Sequence, residues 1–170
     1  MAAGDCGETP RISSSRPIAP PPLSLRLYPD SVLRSVCHPV EHFDEWLTDV
    51  VEEMLALMRL HGGIGLAAPQ VGIARRLFVA QVNRRSLCLI NPVLVGRDGS
   101  DRMTEGCLSL PHVEVNVERN LQIEVQGFNT RGQGQRQKFS GLWARVVQHE
   151  MDHLDGILIY DYEKQPGNTP

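Results

Sequence analysis

GLWARVVQHEMDHLDG, residues Gly141–Gly156, is the stretch on which the reading of this chain turns. Leu142, Val146 and Leu154 mark one apolar side, with Trp143 and Val147 adjoining it, so the segment reads as an amphipathic helix over Gly141–Leu154 that ends at Asp155–Gly156. His149 and His153 stand four apart and are therefore neighbours on one face of that helix. Two imidazoles so placed can bind one divalent metal. Glu150 is rotated by roughly 100° from His149, so it can reach a metal-activated water without being a ligand. This is the H-E-x-x-H logic of a metal-dependent hydrolase. The plainer alternative is a surface helix carrying two histidines and some acidic neighbours.

A catalytic centre of this type needs a third protein ligand. Cys107, in Glu105-Gly106-Cys107-Leu108-Ser109, offers a soft thiolate, and Gly106 lets the backbone come close. A small buried cysteine would look the same. Spacing alone does not choose Cys107 over His112 or His61. The run Gly63-Ile64-Gly65-Leu66-Ala67-Ala68-Pro69-Gln70 leaves room for a second backbone or a ligand and ends in a neutral amide donor, or is simply a tight turn against the core. It is no phosphate loop, because no Lys-Ser/Thr follows the glycines.

Outward from these segments, Phe43, Trp46, Leu47, Val50, Val51, Met54, Leu55 and Met58 recur with helical period, which predicts a helix over Phe43–Leu60 capped by Asp44 and stopped by Gly62–Gly63. Leu77–Val82 and Leu87–Ile90 read as strands, as do the alternating Val113, Val115, Val117 and Leu121, Ile123, Val125. Thr130–Gln135 reads as a hairpin turn and Ile157–Tyr160 as a last strand. The expected fold class is α+β, with antiparallel sheets packed around a central metal-binding helix that carries the H-E-x-x-H motif.

The 170 residues suit one domain. Residues 1–23, rich in Ser and Pro, offer little to bury and read as a disordered tail, leaving 24–170 as a single catalytic domain. The tail has no apolar core of a secretory signal. Arg11, Arg16 and the serines resemble a transit peptide, against which Asp5 and Glu8 count. A net charge of −3 gives no case for a nucleic-acid surface. No apolar run approaches the roughly 20 residues that span a bilayer. Cys6, Cys37, Cys88 and Cys107 are scattered, as free thiols of a reducing compartment are.

Taken together and in order, Gly63–Gln70, Glu105–Ser109 and Gln148–His153 resemble the glycine-alanine-Gln, E-G-C-φ-S and Q-H-E-φ-D-H motifs of the peptide deformylase family. Tyr28-Pro29-Asp30, Leu33-Arg34, Asn91-Pro92 and Arg119 agree with it, and the resemblance runs from about Leu25 to Tyr162. It implies an enzyme that removes the N-formyl group from the initiator methionine of nascent polypeptides and releases formate. It implies that Cys107, His149 and His153 hold one divalent metal per chain, natively iron(II), with zinc, nickel or cobalt as substitutes. Glu150 would act as base and proton shuttle, and the Gln70 amide and the Leu108 backbone N–H would face the formyl oxygen. Gly65, Ile64, Gly106, Leu142, Val146 and the stem of Arg145 are the expected substrate-binding residues. The partners would be N-formyl-Met peptides near the ribosome exit, in a bacterial-type cytoplasm or, alternatively, an organelle.

Two positions depart from common family patterns. Glu114 stands where many relatives are basic, and Arg145 where several bacterial relatives are apolar. A zinc endopeptidase shares H-E-x-x-H but normally adds a later ligand and leaves Cys107 and Gln70 unexplained. An inactive metal-binding relative is the other alternative, though both Glu150 and Gln70 are present.

Overall fold

The computed structural model describes residues 22–164. Helix α1 covers Glu45–Leu60, and the Asp44 carboxylate caps it by accepting from the Leu47 N–H at 3.0 Å. Helix α2 covers Leu142–Leu154 with Gly141 at its N-cap and Asp155 at its C-cap. The strands are β1 Gly65–Ala67, β2 Leu77–Val82, β3 Arg85–Asp98, β4 Asp101–Cys107, β5 Leu110–Arg119, β6 Gln122–Phe128 and β7 Gly134–Ser140. One sheet has the order β1-β2-β3-β6-β7, a second pairs β4 with β5, and every strand pairing is antiparallel. The expected mixed fold with antiparallel sheets is therefore present.

Strand β2 explains why the larger sheet has helices on both faces. Its side chains alternate: Leu77 and Val79 join a cluster with Val50, Met54 and Met58 of α1, while Phe78, Ala80 and Val82 join one with Val146, Val147 and Leu154 of α2. A strand buried on both faces reads as a continuous apolar run, and Leu77–Val82 is one. A third cluster joins Val115 and Val117 of β5 to Leu33, Leu158 and Ile159. Helix α2 thus sits between the large sheet and the β4–β5 pair. Leu23, at the edge of the expected tail, packs partly buried against the α1 cluster, and its N–H donates to Glu53. Residues 1–21 of that tail, and 165–170, lie outside the described residues.

Several boundaries differ from the sequence reading. Strand β3 runs past Ile90 because Asn91-Pro92, which looks like a turn, is taken up as a bulge. Asn91 holds the bulge by bonding both the N–H and the C=O of Val40. Strands β1, β4 and β7 were not expected. Ile157–Tyr160 is not a strand: Ile159–Lys164 winds as a 3-10 helix. There the Asp161 carboxylate accepts from the Leu158 N–H, and the Asp161 N–H returns to the Leu158 carbonyl, both at 2.9 Å. These local bonds satisfy backbone groups that a strand would need a neighbour to satisfy. No described helix is long and apolar enough to cross a membrane.

Candidate metal centre and active site

Three segments distant in sequence meet at one end of α2. Strand β4 delivers Cys107 at its last position, α2 delivers His149, Glu150 and His153, and the loop and short strand 62–67 cover them from the side of the large sheet. Cys107 Sγ lies 3.3 Å from His153 Nε2, and His153 Nε2 lies 3.2 Å from His149 Nε2. One ligand atom from each of Cys107, His149 and His153 falls within 4.8 Å of the others. Among the described residues this is the group so arranged. His112 and His61, open as third ligands from spacing alone, stand outside it: His112 is exposed on the cavity wall and His61 caps α1. With Cys107 as a candidate third donor upstream of α2, the cluster is complete without the later ligand that a zinc endopeptidase normally adds beyond His153.

The donor set fits a divalent metal. A thiolate and two imidazoles suit iron(II), cobalt, nickel or zinc. His149 turns its Nδ1 to Glu105 Oε2 at 2.9 Å, which leaves Nε2 aimed at the cluster, as metal-ligating histidines are usually oriented. Glu105 is itself gripped by Arg119 through two bonds of 3.0 Å and by Arg145 at 2.7 Å. Burial would raise the Glu105 carboxyl, but the bonds from His149 and Arg119 outweigh it and hold the group down at about 2. Burial opposes charge on both rings. In His149 the bonds to Cys107 and Glu105 reverse that and raise it, whereas His153 stays well below the ordinary histidine range. A site that shares protons in this way gives them up when a metal binds.

Glu150 is buried on the other side of the cluster, and burial pushes its carboxyl up to about 7 against the pull of His149 and Arg119. Its Oε2 has no hydrogen-bond partner in the protein. A carboxylate titrating near neutrality, with one free oxygen, can take up a proton and release it again. Gln70 is fixed by its Oε1, which accepts from the Ala67 N–H at 2.8 Å. That turns its Nε2 towards Ser109 Oγ at 3.1 Å and Cys107 Sγ at 3.6 Å, an amide donor beside the cluster.

A cavity of about 590 Å³ opens onto these groups. Ile64, Gly65, Gly106, Leu108, Leu142 and Val146 all line it. Arg145 lines it too, and its guanidinium is bonded to Glu105, Asp101 and the Val117 carbonyl. Sequence reasoning gave no role to Glu105, Asp152, Ser109 or Tyr162. Asp152 and Tyr162 meet at Arg119, with the Tyr162 hydroxyl donating to Asp152 at 2.8 Å. The available signal was that Glu105 and Asp152 are acidic residues inside motifs whose chemistry other residues already explain.

A Cys/His/His set with a buried carboxylate beside it and an amide donor opposite defines a metal-dependent hydrolase. The chain belongs to the polypeptide deformylase family, whose model matches residues 22–168. It is 44% identical over 138 residues to a peptide deformylase of Thermotoga maritima, covering 81% of this chain and 84% of that one. The crystal structure of the Thermotoga maritima peptide deformylase superposes with a TM-score of 0.80, over 82% of this chain and 95% of that one. A peptide deformylase from Synechococcus elongatus, solved in complex with actinonin, is 42% identical and also gives 0.80, over 89% of this chain and 83% of that one.

Proposed function

We propose that this chain removes the formyl group from N-formyl-Met at the start of nascent polypeptides, with one divalent metal ion, natively iron(II), held by Cys107, His149 and His153 of a single catalytic domain. The observation that carries the reading is the convergence of those three ligand atoms beside a buried Glu150. When bound by Cys107, His149 and His153, a divalent ion would supply Lewis acidity and would lower the pKa of a water towards about 7. Glu150 removes the proton from the attacking water and later delivers it to the departing amine of methionine. The Gln70 Nε2–H and the Leu108 backbone N–H stabilise the formyl oxygen as it gains negative charge, typically a few kcal/mol for each such donor. The methionine side chain enters the cavity between Ile64, Leu142, Val146 and the Arg145 stem. Gly65 lies in β1, an edge strand of the large sheet, where an extended peptide can lie alongside the backbone. The enzyme works in the cytoplasm near the ribosome exit, where its substrate emerges.

The test is formate release from formyl-Met-Ala by anaerobically purified protein, paired with metal analysis. Turnover that tracks iron content at one ion per chain is the expected result. Metal-loaded, folded protein that releases no formate would overturn the reading.

A further inference from the structure

We propose that Arg145 is a positioning residue of the metal centre: through Glu105 it fixes the His149 ring and the spacing between Cys107 and the two imidazoles. This rests on the reading that Cys107, His149 and His153 hold a metal.

The three ligands come from two elements, Cys107 from β4 and the histidines from α2. Something must hold those elements in register. Along β4, Asp101, Met103 and Glu105 alternate onto one face, and Cys107 follows after a register shift between Gly106 and Cys107. Along α2, Arg145, His149 and His153 are four apart and share another face. One helix step advances about 6 Å and one pair of strand residues about 6.6–6.8 Å, so the rows match over Cys107–Glu105 and His153–His149; beyond that the long Arg145 side chain spans from Glu105 past Met103 to Asp101. They meet as rungs. Cys107 faces His153 at 3.3 Å, and Glu105 faces His149 at 2.9 Å. Arg145 makes the last rung, to Glu105 Oε1 at 2.7 Å and Asp101 Oδ1 at 2.5 Å.

Arg145 does more than neutralise charge. It is 5% exposed, and besides the two carboxylates its guanidinium donates to the carbonyls of Val117 at 3.0 Å and Asp101 at 3.2 Å. One planar fork therefore binds both strands of the β4–β5 pair to α2. Arg119 reaches Glu105 from β5, so the carboxylate is held from two sides and cannot swing away from His149 Nδ1. Arg145 itself makes no bond to Cys107, His149 or His153. Its effect on the metal must pass through Glu105 and the placement of β4.

The experiment uses the cobalt(II)-loaded full chain, because the thiolate-to-cobalt and d–d absorption bands report ligand geometry directly. Excess EDTA is added and loss of the bands is timed for the parent, R145M, R145K and D101N. Losing the partner bonded directly to a ligand, the place Glu105 holds beside His149, weakens metal binding by roughly 10–100-fold, and Arg145 acts through that partner. Expected results are cobalt release at least about tenfold faster in R145M with shifted bands, an intermediate effect in R145K, whose single ammonium cannot span the fork, and under about threefold in D101N. Far-UV circular dichroism should be unchanged. A folded R145M with the parent's spectrum and cobalt lifetime would overturn the inference. Should R145M not fold, parent-like values in R145K would overturn it equally. If the parent takes up no cobalt, the metal reading fails and the inference with it. That failure shows in the parent, whereas failure of the Arg145 role alone shows only in the variants.

Discussion

The Glu150 carboxylate occupies the space that a side chain at position 65 would fill. A Cβ built on Gly65 would lie 2.7 Å from Glu150 Cδ and closer still to Oε1. Gly65→Ala must therefore push the carboxylate from its place; the three atoms nearest the built Cβ all belong to Glu150 and none to Cys107, His149 or His153. We expect kcat/KM on formyl-Met-Ala to fall at least tenfold, about 1.4 kcal/mol or more of transition-state stabilisation, with metal content at the parent's level. Parent-like turnover would show that the position of Glu150 is not critical.

Glu150→Gln should retain the metal and lose most turnover. On the proposed mechanism the group is a proton carrier and not a ligand, and losing such a group typically lowers rate by about 10²–10⁴-fold. Metal analysis beside single-turnover assays checks both halves. A variant that loses its metal would contradict the assignment.

The described cysteines should differ sharply in reactivity. Burial pushes the Cys37 thiol up to about 11 and Cys88 up to about 12, so at pH 8 both stay protonated; Cys37 is buried and Cys88 partly so. Cys107 opens onto the cavity. Peptide mapping after air inactivation of the iron enzyme should find added oxygen at Cys107, with Cys37 and Cys88 intact. Inactivation with Cys107 unmodified and the iron retained would refute this.

Glu105 should make stability depend on acid. Its folded pKa, about 2, is below the ordinary 4.5. A depressed carboxyl contributes stability that is full above about pH 4.5 and is lost as pH falls towards 2. Glu105→Gln leaves Arg119 and Arg145 short of their anion, a change that typically costs about 3–5 kcal/mol for a buried pair. Urea titrations of parent and variant should therefore diverge most at pH 7 and converge towards pH 2–3. A gap independent of pH would mean that the carboxylate's charge is not what stabilises the fold.

Glu114 lines the cavity, stands opposite Gly106 in the β4–β5 ladder and, among the described residues, makes no ion pair. It should favour formyl-Met peptides with downstream Lys or Arg over Asp or Glu by a few-fold at low salt. Screening beyond about 8–10 Å should shrink that preference at high salt. Glu114→Arg should invert it. Equal kcat/KM for both peptides in parent and variant at low ionic strength would show that the side chain plays no part in recognition.

Much of this was legible in the sequence because it is local. The period of Phe43–Leu60 and the cap at Asp44 depend on residues within a turn of one another. The pairing of His149 with His153 follows from helix geometry alone. The alternation in β5 and β6 likewise announces which face is buried. Strands β4 and β7 escaped because they are mostly polar. Gly134–Ser140 has Phe139 as its one buried residue and is held by backbone bonds to β6, which leave no mark on its own side chains.

The sequence by itself determined two helices, a set of antiparallel strands and a histidine pair with a carboxylate beside it, because each rests on spacing within a few residues. Spacing left the third member of the candidate metal cluster open, and the tertiary structure brings Cys107 to the histidine pair. Cys107 and His153 are 46 residues apart and meet because β4 is laid against α2, while His112, just five positions from Cys107, is left on the cavity wall. It also decided what Glu105 and Arg145 do. A buried carboxylate held by two guanidiniums and an imidazole is a property of three chain segments, β4, β5 and α2, meeting in space, and the free energy that orders them exists only once they have met.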